Sequence, residues 1–199
     1  MSQDILIAGV GGQGTVLASR LIAAAAMAED QFVRTAETIG MAQRGGSVVS
    51  HVRIDAENRS PLIPQGKADL IIAFEPAEAA RSLHRLALGG RCIVNTKAIY
   101  PITVTLSGAP YDMDAITGYI RQQAPGSVFL DASALAAACG GEKALNIVLI
   151  GAAIGYGFLP IQLEKMAGVI KNTVAPRFTE MNLKALHSGY AAAKGGHNE

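Results

Sequence analysis

The chain has 199 residues, with 17 Lys and Arg against 16 Asp and Glu, half of its residues hydrophobic and 17% charged. This composition excludes disorder as the dominant state, and a net charge of +1 gives no electrostatic case for nucleic acid, a membrane surface or another polyanion. Five Phe, five Tyr and no Trp are too few for a base-stacking platform, whereas 22 Gly suit the close backbone packing of α/β proteins.

Ile5-Leu6-Ile7-Ala8 is an unbroken apolar run, as expected of a parallel strand buried on both faces. It leads into Gly9-Val10-Gly11-Gly12-Gln13-Gly14 and then an Ala/Leu-rich segment, 15–27, predicted to be a helix close against the sheet. Residues 32–37 read as a second strand, 40–46 as a Gly-rich loop, and the Val-rich alternation of 47–54 as a third strand. Pro61 and Pro64 bracket a loop before the buried strand 68–74. Pro76 opens a helix predicted to reach Leu88, with Gly89-Gly90 as its stop.

Strand 91–95 follows, then a short extra strand at 102–106, a helix over 112–123 and a strand over 127–130. Asp131 caps a helix running to Cys139, and from Lys143 the pattern is helical, interrupted at Gly155-Tyr156-Gly157, Pro160 and Pro176. The fold class expected is α/β and Rossmann-like: a mostly parallel sheet with helices on both faces and a helical C-terminal region. One domain is expected over 1–194, with a frayed tail at 195–199. The apolar stretch 147–159 either completes the core or forms a partner interface, and it falls short of the roughly 20 residues that span a bilayer. The N-terminus lacks a basic region and its apolar run is broken by glycines, so it does not read as a signal peptide. Cys92 and Cys139 are too few for a disulfide framework or a four-thiolate iron–sulfur cluster, and read as inert core residues of a soluble, cytoplasmic protein.

The strongest motif is Gly9-x-Gly11-x-x-Gly14 between a predicted strand and a predicted helix. Glycine permits a tight turn and close approach of backbone to a phosphate, whose charge the helix start favours. The bland alternative is that these glycines only allow tight helix–sheet packing. Glu37, 23 positions after Gly14, stands where a nicotinamide enzyme places its ribose-binding acid. Against a dehydrogenase stand Gly12-Gln13 within the loop and the lack of a hydride-transfer constellation.

Met41-Ala42-Gln43-Arg44-Gly45-Gly46-Ser47 sets an Arg beside two glycines, a pattern able to bind a phosphate or carboxylate or to dock a partner chain, against the alternative of a solvated surface turn. Glu75 ends a buried strand, where open α/β sheets place functional groups, and is equally well explained as a helix-start acid. His51 shares a strand face with Val49 and Arg53 and reads as structural; His84 reads as solvent-facing; His187 and His197 lack ligand spacing. There is no Walker A lysine, nucleophile elbow, His/carboxylate metal motif or thiamine-binding signature, so no catalytic residue and no metal ligand is assigned.

Ile-Ala-Gly-Val-Gly-Gly-Gln-Gly-Thr (7–15), Glu-Thr-Ile-Gly-Met-Ala-Gln-Arg-Gly-Gly-Ser-Val-Val-Ser-His-Val-Arg-Ile (37–54) and Ala-Asp-Leu-Ile-Ile-Ala-Phe-Glu-Pro (68–76) together resemble the gamma-type domain of 2-oxoacid:ferredoxin oxidoreductases. The likeness spans about residues 3–190 and is nearest to the beta subunits of the indolepyruvate ferredoxin oxidoreductases. It implies a heteromer whose larger subunit carries thiamine diphosphate and the iron–sulfur clusters. That complex would convert an aryl 2-oxoacid and coenzyme A to an aryl-acetyl-CoA and carbon dioxide, reducing ferredoxin. This chain would hold no cofactor by itself, and its Gly-rich loops would contact coenzyme A: Gly9, Gly11, Gly12, Gln13, Gly14 and Thr15 in one, Gln43, Arg44, Gly45, Gly46 and Ser47 in the other, with Glu37 and Glu75 nearby. The gamma subunit of a pyruvate or 2-oxoglutarate enzyme, and an independent nucleotide-binding Rossmann protein, are the alternatives.

Overall fold

A computed structural model describes residues 2–39, 46–55, 60–99 and 111–195. Six strands form one sheet: β1 (Gln3–Val10), β2 (Val33–Ile39), β3 (Ser47–Ile54), β4 (Ala68–Ala73), β5 (Leu86–Asn95) and β6 (Val128–Leu130), in the order β2-β3-β1-β4-β5-β6. The helices are α1 (Thr15–Met27), α2 (Pro76–Ser82), α3 (Met113–Gln123), α4 (Ala132–Ala138), α5 (Leu145–Gly155), α6 (Leu163–Thr173) and α7 (Pro176–Gly195). β1 pairs parallel with β4, β4 with β5 and β5 with β6, whereas β3 runs antiparallel to both β1 and β2. Five strands thus point one way and β3 the other. A parallel connection needs a dozen or more residues of crossover, and the segment between β2 and β3 is too short for one.

The predicted helix 76–88 is shorter in the structure. α2 stops at Ser82, a 3-10 turn covers Leu83–Arg85, and β5 already begins at Leu86. Gly89 and Gly90 therefore lie within a strand rather than ending a helix. The expected strand at 102–106 lies outside the described residues, as do residues 196–199 of the expected tail.

Strand alternation sends side chains into two cores. Ile5, Ile7, Leu70, Ile72 and Ile93 face the larger one, closed by α1, α4, α5, α6 and α7. Leu6, Ile71, Ala73, Cys92 and Val94 face the smaller one, closed by Ala79, Leu83, Ile120 and Ala124 of the α2 and α3 layer. Every residue of α5 is buried, so the apolar run from Ile147 completes the core. α7 crosses it at very short range. A Cβ at Gly151 would lie 2.1 Å from the Leu186 carbonyl oxygen, and one at Gly189 would lie 2.0 Å from that of Val148. Among the described residues no helix is long and apolar enough to cross a membrane.

The amino end of β1 is fixed by polar contacts. Arg53 donates to both Asp4 carboxylate oxygens, from Nε at 2.8 Å and from a terminal nitrogen at 2.7 Å, and its other terminal nitrogen reaches the Ser60 carbonyl at 2.8 Å. His51, buried beside it, accepts the Ile63 N–H at Nδ1 (3.1 Å). Its structural reading holds, and burial, helped by the guanidiniums of Arg85 and Arg53, pushes its pKa down from 6.5 to about 4.

These contacts set two expected outcomes. Gly189→Ala forces the two helices apart and lowers stability by about 3 kcal/mol, seen as a melting-temperature drop of roughly 6–12 °C. Gly168→Ala in α6, where an added Cβ meets nothing within 4 Å, is neutral or stabilising. Equal effects of the two would contradict the close-crossing account. For His51, the unfolded chain takes up a proton below pH 6.5 while the folded chain stays neutral to about pH 4. Stability is therefore complete above pH 6.5 and falls by roughly 3 kcal/mol as pH drops through that window. His51→Asn keeps an acceptor for Ile63 without titrating, so denaturation at pH 7 and pH 4 should show a smaller acid loss in the variant.

Candidate functional site

The helices leaving β1 and β4 turn to opposite faces of the sheet, α1 to the large core and α2 to the small one. Adjacent parallel strands whose connections diverge leave a crevice at their carboxyl ends, where open α/β sheets bind ligands. Here the wall on the β1 side is the loop 9–14. Its shape is set by Gln13. The Val10 N–H donates to Oε1 at 2.7 Å, Nε2 donates to the Phe74 carbonyl at 3.1 Å, and the Gln13 N–H returns to the Val10 carbonyl at 3.1 Å. One side chain thus closes the turn and ties it to the end of β4.

The glycines have different reasons to be there. A Cβ at Gly9 would come within 2.9 Å of both Gln13 Oε1 and Thr15 Cγ2, and one at Gly14 within 2.8 Å of Asn146 Nδ2. Both positions are closely packed. Gly14 adds a φ of +86° as the cap residue of α1, and the Gly11 N–H donates to the Gly46 carbonyl at 2.8 Å. Gly12 is the open one: its φ is +103°, nothing lies within 4 Å of where a Cβ would sit, and it lines the crevice. Among the described residues, no protein acceptor takes the N–H groups of Gly12, Gly14 and Thr15, which leaves this end of α1 as the donor-rich part of the loop.

The opposite wall was not legible as a site in the sequence. Asn95, at the end of β5 and buried, donates from Nδ2 to the same Phe74 carbonyl at 3.0 Å and to Ser133 Oγ at 3.1 Å, while the Ser133 N–H reaches its Oδ1 at 3.3 Å. Gln13, Phe74, Asn95 and Ser133 form one chain of hydrogen bonds across β1, β4, β5 and α4. The crevice has a volume of about 270 Å³ and is lined among others by Gly12, Gln13, Lys97, Ser133, Glu142 and Lys143. Lys97 pairs with Glu142 at 2.7 Å in a half-exposed setting where such pairs hold weakly. Two lysines against one carboxylate make the crevice positive. A buried Asn ending a strand was the available signal for this wall, together with the lysines after β5 and before α5.

Glu75 proves to be a capping residue. Its Oε2 accepts the Glu78 N–H at 3.0 Å at the start of α2, and the Tyr111 hydroxyl donates to Oε1. Burial and the Glu75 carboxylate raise the Tyr111 pKa above the usual phenol range. Glu78, also buried, accepts from Ser47 Oγ at 2.6 Å and from Arg81. Ser47 is thereby held at the start of β3, next to the loop 9–14. Glu37 is exposed on the edge strand β2, with β3 between it and β1, so it does not join the crevice. Gln43, Arg44 and Gly45 lie outside the described residues. Cys92 and Cys139 are buried in different cores, and burial pushes the Cys92 thiol up to about 12. His84 is exposed, with Nδ1 2.8 Å from the Arg81 carbonyl.

Known proteins resemble this chain along nearly its whole length. The indolepyruvate oxidoreductase subunit IorB of Archaeoglobus fulgidus is 44% identical over 197 residues, covering 98% of each chain. Its namesake from Methanothermobacter thermautotrophicus is 37% identical, over 97% of this chain and 98% of that one. The gamma subunit of a keto/oxoacid ferredoxin oxidoreductase from Geobacter sulfurreducens superimposes with a TM-score of 0.71 at 23% identity, covering 97% of this chain and 99% of that one. The 2-oxoglutarate:ferredoxin oxidoreductase of Magnetococcus marinus, solved with 2-oxoglutarate, coenzyme A and succinyl-CoA bound, gives 0.72 at 23% identity, over 98% of this chain and 31% of that one. The model of the family described as pyruvate ferredoxin/flavodoxin oxidoreductase matches residues 4–192. Over nearly its whole length, then, the chain belongs to the pyruvate ferredoxin/flavodoxin oxidoreductase family.

Proposed function

We propose that this chain is the small, non-autonomous subunit of a 2-oxoacid:ferredoxin oxidoreductase acting on indolepyruvate and other arylpyruvates. The observation that carries the reading is the 44% identity to an indolepyruvate oxidoreductase subunit with 98% of each chain aligned. In the reaction, the bond between the carboxylate and the carbonyl carbon breaks to release carbon dioxide. The acyl carbon is oxidised by two electrons that pass to ferredoxin, and the coenzyme A sulfur forms the thioester with loss of its proton. Thiamine diphosphate supplies the electron sink for that chemistry when bound, on the larger subunit.

The donor set of this chain fits that division. Its two cysteines sit in separate cores, and the Cys92 thiol is held protonated, so they do not suit a cluster that needs four converging thiolates. What the chain offers instead is the positive crevice. We assign it to a phosphate group of coenzyme A, held by the N–H of Gly12, the start of α1, Lys97 and Lys143, with the segment of Gln43, Arg44, Gly45, Gly46 and Ser47 as the second contact. The anion would displace Glu142 from Lys97.

Purified with the larger subunit, the complex should oxidise indolepyruvate and phenylpyruvate faster than pyruvate and require this chain for activity. A larger subunit fully active alone, or this chain turning over a 2-oxoacid unaided, would overturn the proposal. Lys97→Ala and Lys143→Ala should each raise the KM for coenzyme A about 10-fold while leaving the KM for the 2-oxoacid near wild type, the loss expected for one charge-assisted hydrogen bond. Unchanged coenzyme A KM in both variants would remove the crevice from the coenzyme site.

A further inference from the structure

At the amino end of the sheet, opposite the crevice, β5 carries a bulge. Ala68 of β4 pairs with Leu86 and Leu70 with Arg91, so two steps along β4 are matched by five along β5. The extra residues are built with care. Gly89 has a φ of +78°, and a Cβ on Gly90 would lie 2.8 Å from Leu86 Cδ1 and 2.9 Å from the Ala68 carbonyl oxygen. The result is that Leu88 stands fully exposed to solvent. Beside it runs a groove of about 750 Å³ between the bulge and the end of α3, lined among others by Leu83, Leu86, Tyr119 and Gly126, with Tyr119 half exposed.

Charge at this place leans positive. Arg81 is paired with Glu78, which leaves Arg85 and Arg91, with His84 beside them, as the cations of this edge, in a chain whose net charge is only +1. The groove lining likewise includes Arg91 and His84 and no acid. The carbonyl end of α3 forms the far edge, so a negative contact belongs on the β5 side. An aliphatic side chain displayed beside a cationic rim is the pattern of an anchor with electrostatic steering.

We propose that this groove is where the larger subunit docks, through an acidic segment that carries an apolar side chain onto Leu88. The inference rests on the subunit reading above and names the surface that serves it. Docking at the amino end leaves the crevice at the carboxyl ends of β1 and β4 accessible to a diffusible coenzyme.

The test is the dissociation constant of the complex formed by this chain and the larger subunit, measured by titration calorimetry at two salt concentrations. Leu88→Asp should weaken assembly about 30-fold or more, as loss of a central anchor does, and Arg91→Gln should weaken it several-fold and flatten the salt dependence. Met27→Asp, at the exposed end of α1, should have no effect, and melting curves of all three variants should match wild type. Wild-type affinity in Leu88→Asp would overturn this docking surface while leaving the subunit reading intact. A wild-type chain that fails to bind the larger subunit at all would overturn both. Leu88→Asp that instead dissociates a homodimer, with the heteromer unaffected, would assign the groove to a second copy and also overturn the proposal.

Discussion

The side-chain amide of Gln13 bridges two strands whose helices leave in opposite directions, and the geometry of the crevice follows from that bridge. Oxygen and nitrogen of one planar group take the Val10 N–H and give to the Phe74 carbonyl. The loop 9–14 is therefore anchored to β4 as well as to the strand it follows. Each hydrogen bond contributes about 1 kcal/mol net, but leaving the Val10 N–H or the Phe74 carbonyl unpaired in this half-buried place would cost more. Because the Phe74 carbonyl also accepts from Asn95, the bridge extends to β5 and, through Ser133, to α4. Gly12, with its left-handed φ, sits at the outer corner of this framework.

The two ends of the sheet have separate characters. At the carboxyl ends the polar network is open on one side, with lysines around a small crevice. At the amino ends, the buried Arg53–Asp4 pair and His51 tie β1, β3 and the loop before β4 into a closed arrangement. Farther along that edge the bulge in β5 exposes an apolar residue among arginines. If the crevice takes coenzyme A and the bulge takes the larger subunit, as proposed, the two would not compete for one edge. The fully buried α5, locked against α7 through Gly151 and Gly189, gives the rigid backing both edges need.

Much of the fold was legible because its signals are local. Short apolar runs marked β1 and β4, Pro76 marked the start of α2, and Asp112 and Asp131 cap their helices by accepting from Ala115 N at 2.9 Å and Ala134 N at 2.8 Å. Where the reading failed, longer-range pairing decided. Leu83 to Leu88 is apolar enough for a helix or a strand, and pairing with β4 selects strand from Leu86. The site was legible in part. The Gly-rich loop marked one side of the crevice, and within it Gly9 packs against Thr15 and Gly14 against Asn146. Glu75 turned out to serve α2 and Tyr111. Asn95 and Ser133, 38 residues apart, carry no motif, since only the fold brings them together.

If the crevice holds coenzyme A as proposed, the Gln13 bridge supports one of its walls, and equilibrium binding of coenzyme A to the assembled complex tests this most directly. Gln13→Ala should bind coenzyme A about 10-fold more weakly with the subunits still associated, because the loop loses its tie to Phe74 while the docking edge is untouched. Wild-type affinity for coenzyme A in that variant would contradict the claim that this bridge organises the site.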